Sequence, residues 1–113
     1  MALRKEYPKT VGPAAMPTGV AASVYTAQER VMIREFTLSN TTAGNLAVTL
    51  HRVTATGAAN VGNQILPALV VPANDVLVVA APLVLEGGER IFALAAGAVN
   101  LTFVVNDRET GVL

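Results

Sequence analysis

The sequence predicts an all-β fold: an antiparallel sandwich of about eight strands, jelly-roll-like, with an extended N-terminal arm. From residue 20 onward, short apolar runs are separated by turn residues at intervals of about eight to twelve positions, a spacing typical of sandwiches and barrels. Val, Thr and Ala are frequent in these runs and suit a pleated surface. No stretch combines a helical apolar period with capping residues. A chain of 113 residues has room for one core, so we predict a single sandwich domain.

The first half of this domain contains three predicted strands, at residues 20–26, 30–39 and 46–53. In the second of them the alternation of apolar and polar residues slips at Arg34 and Glu35. An extra residue in one strand produces such a slip, so we predict a β-bulge there.

The second half is richer in predicted turns. Residues 54–63 are small and polar and include two glycines, which predicts a long mobile loop or a crossover between sheets. The segment from Pro72 to Asp75 fits a four-residue turn between strands at 65–71 and 76–81.

Two tight hairpins are predicted towards the C-terminus. Gly87 and Gly88 can supply the positive φ that such a turn requires, and Gly97 lies at the centre of the second turn. The strands that these hairpins would connect are 83–85, 90–95 and 99–105.

Residues 1–18 differ from the sandwich predicted for residues 19–113. They contain Pro8, Pro13 and Pro17 and show no strand or helix period, so we predict an extended arm that contributes little to folding. Its proposed role is to anchor the chain to a neighbouring subunit, and the alternative is a frayed terminus without a role. The predicted partner-binding residues are the apolar Leu3, Tyr7, Val11 and Met16 and the basic Arg4, Lys5 and Lys9.

Several predicted strands are apolar on both faces. In the strand at 90–95, Ile91, Ala93 and Ala95 share one face, while Phe92 and Leu94 share the other. A sandwich of this size has one interior, so the second apolar face needs another cover. That cover is either a second protein chain or the loops and arm of the same chain.

The charge content argues for assembly and against electrostatic partners. Only 14% of the residues are charged, compared with roughly 25% in an ordinary soluble domain. Eight basic and eight acidic residues leave no net field to attract nucleic acid or an anionic membrane. No apolar run reaches the roughly 20 residues of a membrane-spanning helix.

The residues that usually perform catalysis are scarce. Cys is absent and His51 is the one histidine, so thiolate chemistry and metal sites of two or three histidines are excluded. We interpret His51 as a partly exposed strand residue. Glu86 and Glu89 bracket a turn, and Asp107 and Glu109 are too sparse a pattern to indicate a calcium site. We therefore expect a non-enzymatic protein without a cofactor.

A ligand-binding module is a further alternative. Modules that bind sugars or single-stranded nucleic acid use exposed aromatic rings as stacking platforms. The chain has no Trp, and Tyr7 and Tyr25 are its two tyrosines. The composition therefore favours a structural protein over a module of this kind.

Two long segments carry a resemblance to a known type of protein: SVYTAQERVMIREFTLSNTTAGNLAVTLHRV and ILPALVVPANDVLVVAAPLVLEGGERIFALAAGAVNLTFVV. Together they resemble a type of small bacteriophage structural protein with a β-sandwich fold. The resemblance implies a virion component assembled in the host cytoplasm, either a head decoration (cement) protein or a tail or neck part. The implied partners are the chain itself, as a dimer or trimer, and a major capsid or other virion protein. No binding residue follows from this resemblance.

Overall fold

The protein is a sandwich of two antiparallel β-sheets. The computed structural model describes the backbone of residues 2–112 and the side chains of residues 8–106. Sheet A contains, in spatial order, β1 (Ala2–Ala15), β9 (Val99–Val112) and β3 (Val31–Asn40), with β6 (Asp75–Val79) and β7 (Leu83–Leu85) both paired to the far edge of β3. Sheet B contains, in order, β2 (Ala22–Thr26), β8 (Arg90–Ala95), β4 (Leu46–Val53) and β5 (Gln64–Val71).

The strands pair in a nested order. β4 pairs with β5, β3 with β6 and β7, β2 with β8, and β1 with β9, all antiparallel. Successive pairs in this order lie alternately in sheet B and sheet A. The predicted all-β antiparallel sandwich is therefore confirmed, and jelly-roll-like remains our interpretation of the nested order.

The core lies between the two sheets and is built from alternate residues of their strands. Phe36 and Leu38 of β3 face Val48 and Leu50 of β4, and all four are fully buried. Burial of a side chain of this size contributes about 1.5–3 kcal/mol relative to leaving it in water. Three aromatic rings meet in this core, with Phe103 at 5.4 Å from Tyr25 and 5.5 Å from Phe36 between ring centroids.

Most predicted strands agree with the structure within one or two residues. The predicted bulge is confirmed, because the pairing of β3 with β9 shifts between Ile33 and Phe36. Arg34 and Glu35 are therefore the two residues that lie opposite Val104.

The prediction of two C-terminal hairpins is wrong. β7 belongs to sheet A and β8 to sheet B, so the turn from Glu86 to Glu89 connects the two sheets and not two paired strands. The turn at Gly97 likewise leads from sheet B to sheet A. Turn residues indicate where the chain reverses, but they do not specify the strand that receives the hydrogen bonds. Gly88 does have the predicted positive φ, at +89°.

Residues 54–63 connect the adjacent strands β4 and β5 of sheet B, so they are a loop within one sheet and not a crossover between sheets. The loop covers part of β4, which corrects the expectation for His51. His51 is buried, with 6% of its surface exposed, and not partly exposed as its position suggested. Its Nδ1 lies 3.1 Å from the backbone oxygen of Asn60 and 2.8 Å from Oδ1 of Asn63. Because a carbonyl oxygen can only accept, Nδ1 carries the proton. The loop also contains a short 3-10 helix, Val61–Asn63.

Residues 2–15 are extended, as expected of an arm, but they form the edge strand of sheet A. An edge position suits Pro8 and Pro13, which cannot donate a backbone hydrogen bond. The next residue, Met16, is buried at 5% exposure, and its amide donates to the carbonyl of Val99 at 2.9 Å. This segment therefore joins the fold, contrary to the expectation that it contributes little to it.

Candidate interaction surface

Among the described residues there is no group of three or more His, Asp or Glu that could hold a metal ion. A depression of about 300 Å³ on sheet B is lined by small and apolar residues such as Ala47, Thr49 and Leu94. Within the same described residues, no helix is long and apolar enough to cross a membrane.

The two glutamates of the sheet-to-sheet turn have structural partners. Arg30 forms an ion pair with Glu86 at 2.9 Å, and Arg52 forms one with Glu89 at 2.7 Å. Glu89 Oε1 also accepts from the backbone amide of Glu86 at 2.7 Å. This backbone hydrogen bond, with help from Arg52 and against partial burial, lowers the pKa of Glu89 below its ordinary value. The contacts of Glu86 and Glu89 therefore fix the turn.

The seven predicted partner-binding residues lie on or directly after β1. The side chains of Leu3, Arg4, Lys5 and Tyr7 lie outside the described residues, and their backbone belongs to β1. The other three are described. Lys9 is exposed, Val11 is half-buried against the core, and Met16 is inside the core.

The burial of these side chains determines which of them can contact a partner. The prediction for Met16 needs correction, because a side chain in the chain's own core has almost no surface left for a neighbour. For Lys9 and for the residues that precede it, partner binding stays a prediction.

The two chain ends form a single two-stranded ribbon beyond the sandwich. The pairing of β3 with β9 ends at Asn106, opposite Met32, so residues 107–112 pair only with residues 2–7 within the described backbone. Six residue pairs correspond to about 20 Å of strand. The molecule is accordingly elongated, with extents of 54 × 28 × 19 Å.

The ribbon holds much of the charge of the chain. Six of the 16 charged residues occur among its twelve positions, three of each sign. A two-stranded ribbon on its own is only marginally stable in water. Its composition and its isolation from the sandwich make it a candidate for contact with another molecule. The six charged residues are Arg4, Lys5, Glu6, Asp107, Arg108 and Glu109.

A second candidate is the outer face of sheet A, which is apolar and exposed. Within residues 8–106, eight large apolar side chains are exposed, and five of them share this face. Their exposed fractions range from 38% to 55%, whereas their neighbours along each strand, except Asp75, are buried or half-buried. The five are Met32, Val76, Val78, Val84 and Val104.

The residues between these five are polar and, outside the bulge, uncharged. Val78 aligns with Thr37 and Thr102 across three strands, and Val76 aligns with Ser39 and Asn100. The charged exceptions among the described residues of this face are Arg34 and Glu35. Both are exposed, and within residues 8–106 neither takes part in an ion pair.

The outer face of sheet B is better covered than that of sheet A. This difference bears on whether strands with two apolar faces are covered by a second protein chain or by loops of the same chain. Phe92 and Leu94 of β8 are half-buried. The guanidinium of Arg90 lies 4.8 Å from the Phe92 ring centroid and donates to the carbonyl of Thr54 at 2.8 Å. Cover by the chain's own residues therefore accounts for β8, but it does not account for the exposed face of sheet A.

The sequence of β6 indicates an apolar outer face, but the pattern within one strand does not show which face is exposed. Residues 76–79 of β6 are apolar at four consecutive positions, so both faces of this strand are apolar. Which of the two apolar faces is exposed depends, however, on how the strands assemble into two sheets. The nested pairing determines this arrangement, and the pattern within one strand does not.

Comparison with solved structures gives limited structural similarity. No family model matches the chain, and no curated protein matches it. A chain in the "Structure of infectious bursal disease virus Gx strain" has a TM-score of 0.45 and 11% sequence identity with this protein. The match covers 91% of this chain and 32% of that chain, so this protein spans about a third of its length. A similarity at this level does not identify a shared function.

Proposed function

We propose that this protein is a non-enzymatic structural component of a virus particle, a decoration or cement protein that binds a capsid shell and stabilises it. The observation that carries the proposal is the ribbon formed by residues 2–7 and 107–112. It extends beyond the sandwich and pairs with nothing else in the described backbone. An element of this kind gains stability when another molecule covers its open edges.

The composition supports the same role. Outside the ribbon, ten charged residues are spread over 101 positions, so most of the sandwich surface is uncharged. Charged residues are depleted in the centres of protein interfaces, so a surface with few charges suits a protein that binds others. The resemblance to small bacteriophage structural proteins agrees with this interpretation.

A sugar-binding module fits the described residues less well. Tyr25 is half-buried, and its ring packs edge-on against Phe103 at 5.4 Å between centroids. Its ring is therefore engaged with the core and does not offer a free stacking platform.

The test is binding of the purified protein to virus shells that lack it, measured by co-sedimentation. We compare the full chain with a variant that retains residues 8–106, which removes the ribbon and keeps every described core side chain. The proposal expects saturable binding of the full chain and a loss of at least tenfold in affinity for the variant. Triple substitution of Arg4, Lys5 and Arg108 by Gln should weaken binding without shortening the ribbon. Absence of binding by the full chain contradicts the proposal.

A further inference from the structure

We infer that the outer face of sheet A binds the same face of a second copy of this chain, around a two-fold axis close to Arg34 and Glu35. The inference deepens the proposed function, on which its biological meaning rests, by naming one partner and the surface that it contacts. It concerns the sandwich itself and does not involve the ribbon.

The exposed apolar side chains provide the first argument. Met32, Val76, Val78, Val84 and Val104 are distributed over four of the five strands of the sheet and are spaced by rows of Thr, Ser and Asn. An apolar patch of this extent on a soluble protein typically marks an interface. Two such sheets pack face to face at a separation of about 10 Å, as they do inside a sandwich.

The available area is sufficient for a dimer. Sheet A is four strand positions wide, formed by β1, β9, β3 and the row in which β6 and β7 lie end to end along β3. At about 4.8 Å spacing and about nine residues in length, the face measures roughly 19 by 30 Å. A face-to-face contact then buries on the order of 1,200 Å² in total, above the roughly 1,000 Å² expected of a specific interface.

The charges favour a second copy over a different partner. A two-fold interface is self-complementary, because the same patch occurs on both sides. Arg34 and Glu35 are adjacent, opposite in sign and exposed, and both lie opposite Val104 in the bulge. A nearby two-fold axis brings Arg34 of each copy to Glu35 of the other, so both charges gain a partner that they lack within residues 8–106.

The experiment is sedimentation equilibrium of the full chain from about 1 µM to about 1 mM, a range that covers weak and moderate dimers. The expected species is a dimer of the 11.7 kDa chain. Val78→Lys should weaken the dimer by on the order of 100-fold, because it places an unpaired charge in the contact. Val70→Lys is the matched control on sheet B, since Val70 is 52% exposed and Val78 is 55% exposed. It should leave the dimer unchanged.

A charge exchange provides a second test that does not depend on folding of the lysine variant. Arg34→Glu should weaken the dimer, and the double variant Arg34→Glu with Glu35→Arg should restore it. A monomer throughout the range, a trimer, or equal effects of Val70→Lys and Val78→Lys would overturn the inference. If the chain binds shells but remains a monomer, the inference fails while the proposed function stands. If the chain forms the dimer but does not bind shells, the proposed function fails while the inference of a dimer stands.

Discussion

The Nδ1 atom of His51 lies 2.8 Å from the side-chain oxygen of Asn63, twelve positions away, and this contact holds the loop of residues 54–63 against β4. The same Oδ1 accepts from the backbone amide of Asn60 at 3.0 Å. One buried imidazole therefore connects β4 to the second half of the loop, whereas Arg90 of β8 holds the first half through the carbonyl of Thr54.

His51→Ala should destabilise the protein by about 1–3 kcal/mol, because it removes a buried side chain together with its hydrogen bonds to Asn60 and Asn63. The loop should also become more sensitive to limited proteolysis. Thr56→Ala, in the exposed part of the same loop, serves as the control. If His51→Ala has the same unfolding midpoint and the same cleavage pattern as the wild type, the loop is held by other contacts.

Phe103→Ala should cost about 3–5 kcal/mol of unfolding free energy, since it leaves a cavity between two other rings. Phe103 is 3% exposed, whereas the adjacent Val104 is 38% exposed and faces outward. Val104→Ala in the isolated monomer should therefore change stability by less than about 0.5 kcal/mol. Urea denaturation of both variants distinguishes the two faces of β9, and equal losses would show that the assigned register is wrong.

Gly12→Ala should weaken the attachment of β1 to β9. Gly12 has a φ of +94°, and a Cβ atom there would collide with the carbonyl oxygen of Leu101. Gly44→Ala is the control, because its φ is not left-handed and no atom lies within 4 Å of the added carbon. Hydrogen exchange of the β1 amides should accelerate in the Gly12 variant only. Equal protection in the two variants would contradict this assignment.

Deletion of residues 1–18 should lower the free energy of unfolding by about 2–5 kcal/mol, because it removes Met16 from the core together with the half-buried Val11. Deletion of residues 1–7 and 107–113 should leave the thermal midpoint nearly unchanged. Calorimetry of the two truncated chains separates the role of the segment in folding from the role of the ribbon in binding. Equal midpoints for both would restore the view that residues 1–18 are independent of the core.

Glu89 should contribute stability that is lost in acid. Its pKa is lowered in the folded state from an ordinary value of 4.5, mainly by the backbone amide of Glu86. The contribution is therefore complete above about pH 4.5 and is lost as the pH falls through the lower, folded-state value. Glu89→Gln should flatten this part of the stability profile, with Glu29→Gln as the control for loss of one surface charge. An acid limb identical to that of the wild type would contradict this role.

The sequence was informative where a structural feature depends on neighbouring residues. The alternation of apolar residues located β3, β4 and β8, and its interruption at Arg34 and Glu35 located the bulge. The prediction of hairpins failed because a turn such as Glu86 to Glu89 has the same composition whether it joins paired strands or opposite sheets.

The same limit applies to the candidate surface. Burial of His51 depends on a loop that folds back onto β4, and exposure of Val78 depends on which face of sheet A packs against sheet B. The proline-rich composition of residues 1–18 indicated an extended segment but not its place as the edge strand of sheet A. It could not indicate that both chain ends would pair into one ribbon, because that pairing joins residues about a hundred positions apart.

The copy number of this chain in purified virus particles, measured by quantitative mass spectrometry, tests the proposed role most directly. A decoration protein should be present in hundreds of copies, in a fixed ratio to the major shell protein. A handful of copies would instead indicate a tail or neck component, which retains the structural role but not the decoration role. Complete absence of the chain from the particles of a virus that encodes it would contradict the proposal.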